Sequence, residues 1–227
     1  MTGTPDRQTF PSISDIETRR KLRSVLDGLL LLAGHLLYYP SVIKFHLLDP
    51  KRDKLHVGCG AHRLPGWINA DVHPRVDLII FLEKRLPFRE NSLRFIYTEH
   101  VLEHVTYKTG VSFLREAYRV LQPGGVIRIA MPDLDDLIDG YQKDWRRFDW
   151  VNWPAHRFIK TRAEMINIAF RWWGHQHLYN REELERALRE AGFKDYRFQQ
   201  PGESDFPDLC GLETRPESIL IVDAVKS

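Results

Sequence analysis

Several groups of residues in this 227-residue chain have the types and spacing to do chemistry. Gly58-Cys59-Gly60 is a turn at which the main chain can approach a ligand closely, because glycine lacks a Cβ and tolerates positive φ. Asp71 follows, with a carboxylate able to accept hydrogen bonds from both hydroxyls of a ribose. His100-Val-Leu-Glu103-His104 offers an imidazole titrating near neutrality, and it also spells the H-x-x-E-H pattern of a zinc peptidase. His177 is a second histidine that could take a proton from an acceptor. Asp133, Asp135 and Asp136 could hold a hard cation or, as the dipole favours, start a helix.

Five of the six tryptophans, Trp145, Trp150, Trp153, Trp172 and Trp173, crowd into 141–177 beside Arg146, Arg147, Arg157, Arg162 and Arg171. Aromatic faces suit sugars and planar molecules, and guanidinium groups suit carboxylates and phosphates. The competing reading of the same segment is a lid that simply packs.

These residues need a frame. Lys54 to Val57 reads as a strand ending in the glycine turn, and Trp67 to Ala70 as a second ending at Asp71. Val76 to Phe81, Leu93 to Tyr97 and Val126 to Ala130 continue as buried apolar runs, the pattern of a mainly parallel sheet covered on both faces. Leu114, Ala117, Tyr118 and Leu121 share one helical face, and Gln122-Pro-Gly-Gly125 stops that helix. Asn180 with Glu183 starts another, which Gly192 closes before strands at Tyr196 to Gln199 and Ile219 to Val225. The expected fold is a doubly wound α/β sheet of seven strands.

Only six residues separate Gly60 from Trp67, while a crossover with its helix needs at least about 10–12. The first crossover is therefore expected to be a bare turn. Arg63 stands where a dinucleotide fingerprint has its third glycine, so that fingerprint fails. The connection from Pro201 to Pro216 is long enough to suspect a functional loop.

The 33 basic and 31 acidic side chains nearly cancel, so no nucleic-acid partner is expected from a global field. Cys59 and Cys210 make neither a metal spacing nor a disulfide framework, which points to a reducing cytoplasm. Val25 to Tyr39 is apolar but interrupted by Asp27, Gly28, Gly34 and His35, and it falls short of the roughly 20 residues of a membrane span. Arg19, Arg20, Lys21 and Arg23 before it imitate the charged start of a signal peptide, but about 18 polar residues precede them and no small-residue cleavage site follows. A helix packed on the domain is expected there, with peripheral membrane contact through 25–39 as the alternative. Residues 1–15 are expected to be loosely ordered.

Taken in order, Lys54-Leu-His-Val-Gly-Cys-Gly60, Gly66-Trp-Ile-Asn-Ala-Asp71, Leu86-Pro-Phe88, Glu99-His-Val-Leu-Glu-His104, Arg119-Val-Leu-Gln-Pro-Gly-Gly125 and Met131-Pro-Asp133 resemble the class I S-adenosylmethionine-dependent methyltransferases, in a bacterial branch of methyltransferase-domain proteins (type 11-like). The likeness covers roughly 54–134 and resumes at 177–193 and 218–226. It implies a methyltransferase domain over 51–227, which leaves an N-terminal extension over 1–50 and, from its crowded tryptophans, an expected substrate-facing insertion over 141–177 outside the likeness. It further implies a cofactor site of His56, Gly58, Cys59, Gly60, Asp71, Val72, Leu82, Glu83 and His100, with no metal. Gly58 and Gly60 would line the methionine part, Asp71 the ribose, and Leu82 and Glu83 the adenine. His56 stands where most relatives carry an acid, and Phe81 replaces an aspartate that commonly meets the adenine amine. The expected acceptor is a small molecule or glycan; if it reacts through a hydroxyl oxygen, a base must remove the proton, and a histidine is the usual candidate, His100 first and then His177. A cofactor-binding accessory protein and a zinc hydrolase are the rival readings.

Overall fold

The computed structural model describes residues 13–48 and 52–227, with side chains from Val25 onward apart from Leu48. Of the 1–15 segment, 1–12 lie outside the described residues, and 13–15 open a helix, α1 (Ile13–Leu48). There follow β1 (Lys54–Val57), β2 (Ile68–Asp71), β3 (Leu78–Ile79), β4 (Leu93–Glu99), α2 (Tyr107–Val120), β5 (Leu121–Met131), α3 (Leu134–Gln142), α4 (Asp149–Asn152), α5 (Arg162–Arg171), α6 (Arg181–Ala191), β6 (Asp195–Gln199) and β7 (Leu220–Val225).

The strands form one sheet in the order β3-β2-β1-β4-β5-β7-β6, with only β7 antiparallel to its neighbours. The order reverses between β1 and β4, and in open sheets of this kind ligands gather at the carboxyl ends on either side of such a reversal. Gly58 and Glu99 therefore flank the place where a ligand belongs.

The two faces of the sheet are covered by different means. Along β5, Ile127, Ile129 and Met131 point to the face that carries α2 and α6, where Leu114, Ala117, Leu184 and Leu188 complete the main core. Val126 and Ala130 point the other way, with Phe95, Tyr97 and Trp67, and are covered by Leu209, Phe206 and Leu212 of the 201–216 connection. A largely irregular connection, with one short 3₁₀ turn at Pro207–Leu209, thus stands where a longer helix would normally lie. Its backbone cannot satisfy itself as a helix does, so it needs partners supplied by the sheet.

Arg128, on that face of β5, supplies them. Its fully buried guanidinium donates to Asp223 of β7 (2.8 Å), to Glu213 (2.6 Å) and to the Glu203 carbonyl (2.8 Å). Asp223 also accepts from the Ser204 hydroxyl at 2.6 Å.

The first crossover, 58–67, has no helix, as its length requires. Asn69 holds it: its Oδ1 accepts from Leu64 N–H (2.8 Å), and its Nδ2 donates to the Leu64 and Trp67 carbonyls. Strand β3 is shorter than the Val76–Phe81 run, because Phe81 turns away to pack on α1. Helix α2 ends at Val120, and Gln122-Pro-Gly-Gly125 belongs to β5 rather than to a loop.

Helix α1 differs from the sequence expectation. It runs through Gly34 and Pro40, so the apolar stretch extends over Val25–Leu47, 23 residues, long and apolar enough by length and composition alone to cross a membrane. From Gly34 on, one face docks on the sheet edge: Tyr38, Val42 and Phe45 pack inward, and Ser41 Oγ accepts the otherwise free Ile79 N–H at 2.8 Å. A Cβ on Gly34 would fall 2.0 Å from the Val72 carbonyl oxygen, so glycine permits this approach. The opposite face exposes Leu36, Leu37, Tyr39, Ile43 and Leu47, and Val25 to Leu32 are exposed throughout.

Replacing Arg128 by Ala leaves Asp223 and Glu213 buried without a counter-charge. The expected cost is about 3–5 kcal/mol of unfolding free energy, measured by urea denaturation. A loss below about 1 kcal/mol would show that the loop covers the sheet without this ion network.

Candidate functional site

At the carboxyl end of β1 the chain turns sharply. Gly58 has φ +72°, and a Cβ there would sit 2.2 Å from Val101 Cγ2, so only glycine fits. Gly58 and Cys59 donate their N–H groups to the Ala70 carbonyl at 2.9 and 3.1 Å, tying the turn to β2. Gly60 faces open space: a Cβ on it would meet nothing within 4 Å.

The opening is a cleft of about 190 Å³ lined by His56, Gly58, Gly60, His62, Glu99 and Arg215, with Cys59, Ala61 and Thr214 completing its wall. Half-buried Asp71 borders the glycine turn, accepting from Gly60 N–H (2.8 Å) at Oδ2 and from Val72 N–H (2.6 Å) at Oδ1. Each carboxylate oxygen keeps capacity for another donor.

Sequence reasoning missed part of this wall. Glu99 ends β4 and accepts from Thr214 N–H (3.0 Å), Thr214 Oγ1 (2.6 Å), Arg215 N–H (3.1 Å) and Ser218 Oγ (2.6 Å). Burial pushes its pKa up, but the hydrogen bonds from Ser218 and Thr214 outweigh it and hold the carboxyl below its usual range. Thr214 and Arg215 reach the cleft because Glu99 binds the loop that carries them. The length of 201–216 was the only sequence signal for that arrangement.

His100, next along the chain, takes φ +52°, which is uncommon for a residue with a side chain. Its Nδ1 lies 3.4 Å from Glu103 Oε1, and its Nε2 is buried with no hydrogen-bond partner. Burial drives its pKa down to about 3, so the ring is neutral at pH 7.

The other expected site residues are placed as follows. His56 and Cys59 line the cleft; burial lowers the His56 pKa to about 4 and pushes the Cys59 thiol up to about 12. Val72 is exposed beside Gly34 of α1. Leu82 and Glu83 sit in a turn after Phe81, outside the cleft wall. There α1 forms the neighbouring surface, with the His35 ring 4.0 Å from that of Phe81. His177 is not brought to the cleft: its Nε2 pairs with Glu183 Oε1 at 2.9 Å beside Tyr107 and Tyr179.

The tryptophans build a second small core more than a binding surface. Trp150 is buried with Phe148, Val151, Met165 and Ile168, and Trp145, Trp172 and Trp173 pack against that cluster, while Trp153 is exposed. Arg147 pairs with Asp136 and Arg162 donates to the Tyr141 and Gln142 carbonyls, so these cations close helix ends. Asp133 caps α3 by accepting from Asp135 N–H at 3.0 Å.

His56 sets a testable pH dependence. Its folded pKa lies below its unfolded value, so the unfolded state takes the proton first and stability falls as pH drops from about 6.5 towards 4. Between pH 7 and pH 5 the wild type should lose about 1–2 kcal/mol more than a His56→Gln variant in urea titrations. Equal losses in both proteins would mean that His56 ionises freely in the fold.

Comparison with known proteins agrees with this geometry. A family model described as a methyltransferase domain matches residues 35–197, well over half of the chain. No curated protein matches. Among solved structures, an S-adenosylmethionine-dependent methyltransferase of Thermotoga maritima, described as a possible histamine N-methyltransferase, is 18% identical over 92% of this chain and 97% of its own, with a TM-score of 0.51. A Methanosarcina mazei S-adenosylmethionine-dependent methyltransferase is 15% identical over 81% of this chain and 94% of its own (TM-score 0.43). A putative methyltransferase of Haloferax volcanii, solved with the Trm112 activator, is 13% identical over 86% and 93% (TM-score 0.46). With the family model spanning most of the sheet, its strand order and its glycine turn, the chain belongs to the methyltransferase-domain family and is a class I S-adenosylmethionine-dependent methyltransferase.

Proposed function

We propose that the chain transfers a methyl group to a hydroxyl oxygen of a small-molecule or glycan acceptor, working in the cytoplasm at a membrane surface. The observation that carries the transfer is the cleft between the Gly58–Gly60 turn and Glu99, with Asp71 at its border. At about 190 Å³ it is smaller than the ~300–1,000 Å³ of complete small-molecule sites. It suits the amino-acid end of the cofactor, leaving the nucleoside to Asp71, Val72 and the Phe81 side, where α1 stands as the outer wall.

When bound, S-adenosylmethionine supplies an electrophilic methyl on a sulfonium. Displacement at that carbon depends mainly on alignment, so the chain's task is to hold an acceptor in line and exclude water. Our first choice to take the acceptor proton is His100, which follows Glu99 of the cleft wall without lining the cleft itself and whose Nε2 has no other partner. His177 is the second choice: Glu183 holds its Nε2, which would support Nδ1 as a base, but the ring stands away from the cleft among Tyr107 and Tyr179.

The membrane part rests on α1. A helix apolar on both its docked and its exposed faces is costly in water, and Arg19, Arg20, Lys21 and Arg23 in its first turns match an anionic headgroup layer. Cys59 and Cys210 are both unpaired, as a reducing compartment leaves them.

With labelled cofactor and a hydroxylated acceptor fraction, the label is expected in an ether, stable to mild alkali. Changing His100 to Ala should lower the rate about 100-fold or more, while His177→Ala should leave it within a few-fold. Label on nitrogen or carbon, or full activity without His100, contradicts the reading. For the membrane contact, the protein should sediment with vesicles containing anionic lipid, and a Leu29→Gln, Leu36→Gln variant should remain in the supernatant. Equal partitioning of the two proteins would exclude α1 as the contact.

A further inference from the structure

Beside the cleft, three side chains converge that the methyl-transfer reading does not use. Glu103, His104 and His175 each offer a ligand atom, and these atoms all lie within 4.8 Å of one another. Glu103 and His104 belong to the 3₁₀ turn Leu102–His104 that follows β4, whereas His175 comes from the far end of the 141–177 insertion. The main chain holds the two segments together. Gln176 and His177 donate their N–H groups to the Glu103 carbonyl (2.7 and 3.2 Å), and Gln176 Nε2 donates to the His104 carbonyl (2.8 Å).

Two further observations point to a ligand. Glu103 is completely buried, and neither of its carboxylate oxygens has a hydrogen-bond partner. The nearest donor atom, His100 Nδ1, stands 3.4 Å from Oε1 without making a hydrogen bond, and a carboxyl group removed from water with no hydrogen bond to either oxygen is costly, so its presence calls for something that meets those oxygens. His175 is also prepared on its other side. Its Nδ1 lies 2.7 Å from the Ala169 carbonyl, and donation there leaves the Nε2 lone pair free, the arrangement found behind metal-ligating histidines. The His104 and His175 rings meet edge to face, 4.9 Å between centroids at 73°, and do not stack.

We propose that Glu103, His104 and His175 form a binding site for one divalent transition-metal ion of the zinc class. One carboxylate and two imidazoles suit such an ion better than magnesium or calcium, which favour all-oxygen shells. Three protein ligands leave at least one coordination position open. The set differs from that of an H-x-x-E-H peptidase, where His100 and His104 would ligate and Glu103 would act as base. Arg215 bears on all three positions around this turn, through His100, Glu103 and His104, but its side chain is exposed, so water screens its repulsion of a cation. Because His100 adjoins Glu103, the open position would be able to hold an acceptor oxygen beside the proposed base. That last link rests on the methyl-transfer reading, while the metal site itself does not.

The test uses untagged full-length protein, stripped with chelator and titrated with cobalt(II) alone. The expected result is about one equivalent bound, with a visible ligand-field absorption that zinc(II) abolishes on displacement. His175→Ala and the near-isosteric Glu103→Gln should each weaken binding about 10-fold or more, with circular dichroism confirming that both variants fold. Cobalt binding that is absent, or unchanged in both folded variants, overturns the site. Titration with S-adenosylhomocysteine in parallel separates the claims: nucleoside binding without cobalt binding removes the metal site and leaves methyl transfer standing, and the reverse outcome removes methyl transfer alone.

Discussion

The arrangement of this protein depends on covering one face of a parallel sheet with a loop. Helices α2 and α6 protect one face, but on the other the 201–216 connection must bury Phe95, Tyr97 and Trp67 with helical bonding only in the short 3₁₀ turn Pro207–Leu209. Buried charges on the sheet provide what the loop lacks. Arg128 holds it through Glu213 and the Glu203 carbonyl, and Glu99 holds it through Thr214 and Arg215, with Ser218 just beyond its end. The second clamp lies at the end of β4, so the same contacts that close the core also deliver Thr214 and Arg215 to the cleft above the glycine turn. Stability and site construction share one set of hydrogen bonds.

The end of β4 is correspondingly a junction. Glu99 faces the covering loop, His100 turns at positive φ with a free Nε2, and Glu103 with His104 faces the insertion that carries His175. Six consecutive residues thus address three parts of the molecule. On the far side of β1, the turn at Gly58 and the carboxylate of Asp71 are tied to each other through Gly60 N–H, and α1 leans over Val72 because Gly34 lets it.

Local signals made much of this legible from the sequence. The glycine turn, the acid that ends β2, the helix-free first crossover and the caps at Asp133 and Asn180 are all short-range features, and each lies where the pattern put it. Long-range features were not legible. Nothing near Glu99 in sequence shows that its donors are Thr214 and Ser218, and nothing in the tryptophan-rich stretch shows that Trp150 serves a small core instead of a pocket. Asp27, Gly28, Gly34 and His35 read as interruptions of an apolar run, yet the helix continues through all four and through Pro40, and Gly34 is where it presses closest to the sheet. His177 was singled out by residue type; its pairing with Glu183, six residues on, and its distance from the cleft wall depend on how α6 packs, which no local pattern shows.

The central claim is that the Gly58–Gly60 turn and Asp71 form a nucleoside cofactor site, and calorimetric titration with S-adenosylmethionine and S-adenosylhomocysteine tests it most directly. The account predicts micromolar binding of both by the wild type and binding weakened by about 1–3 kcal/mol in Asp71→Ala, where a charged hydrogen-bond acceptor is lost. No binding by the folded wild type, or equal affinity in the two proteins, would contradict it.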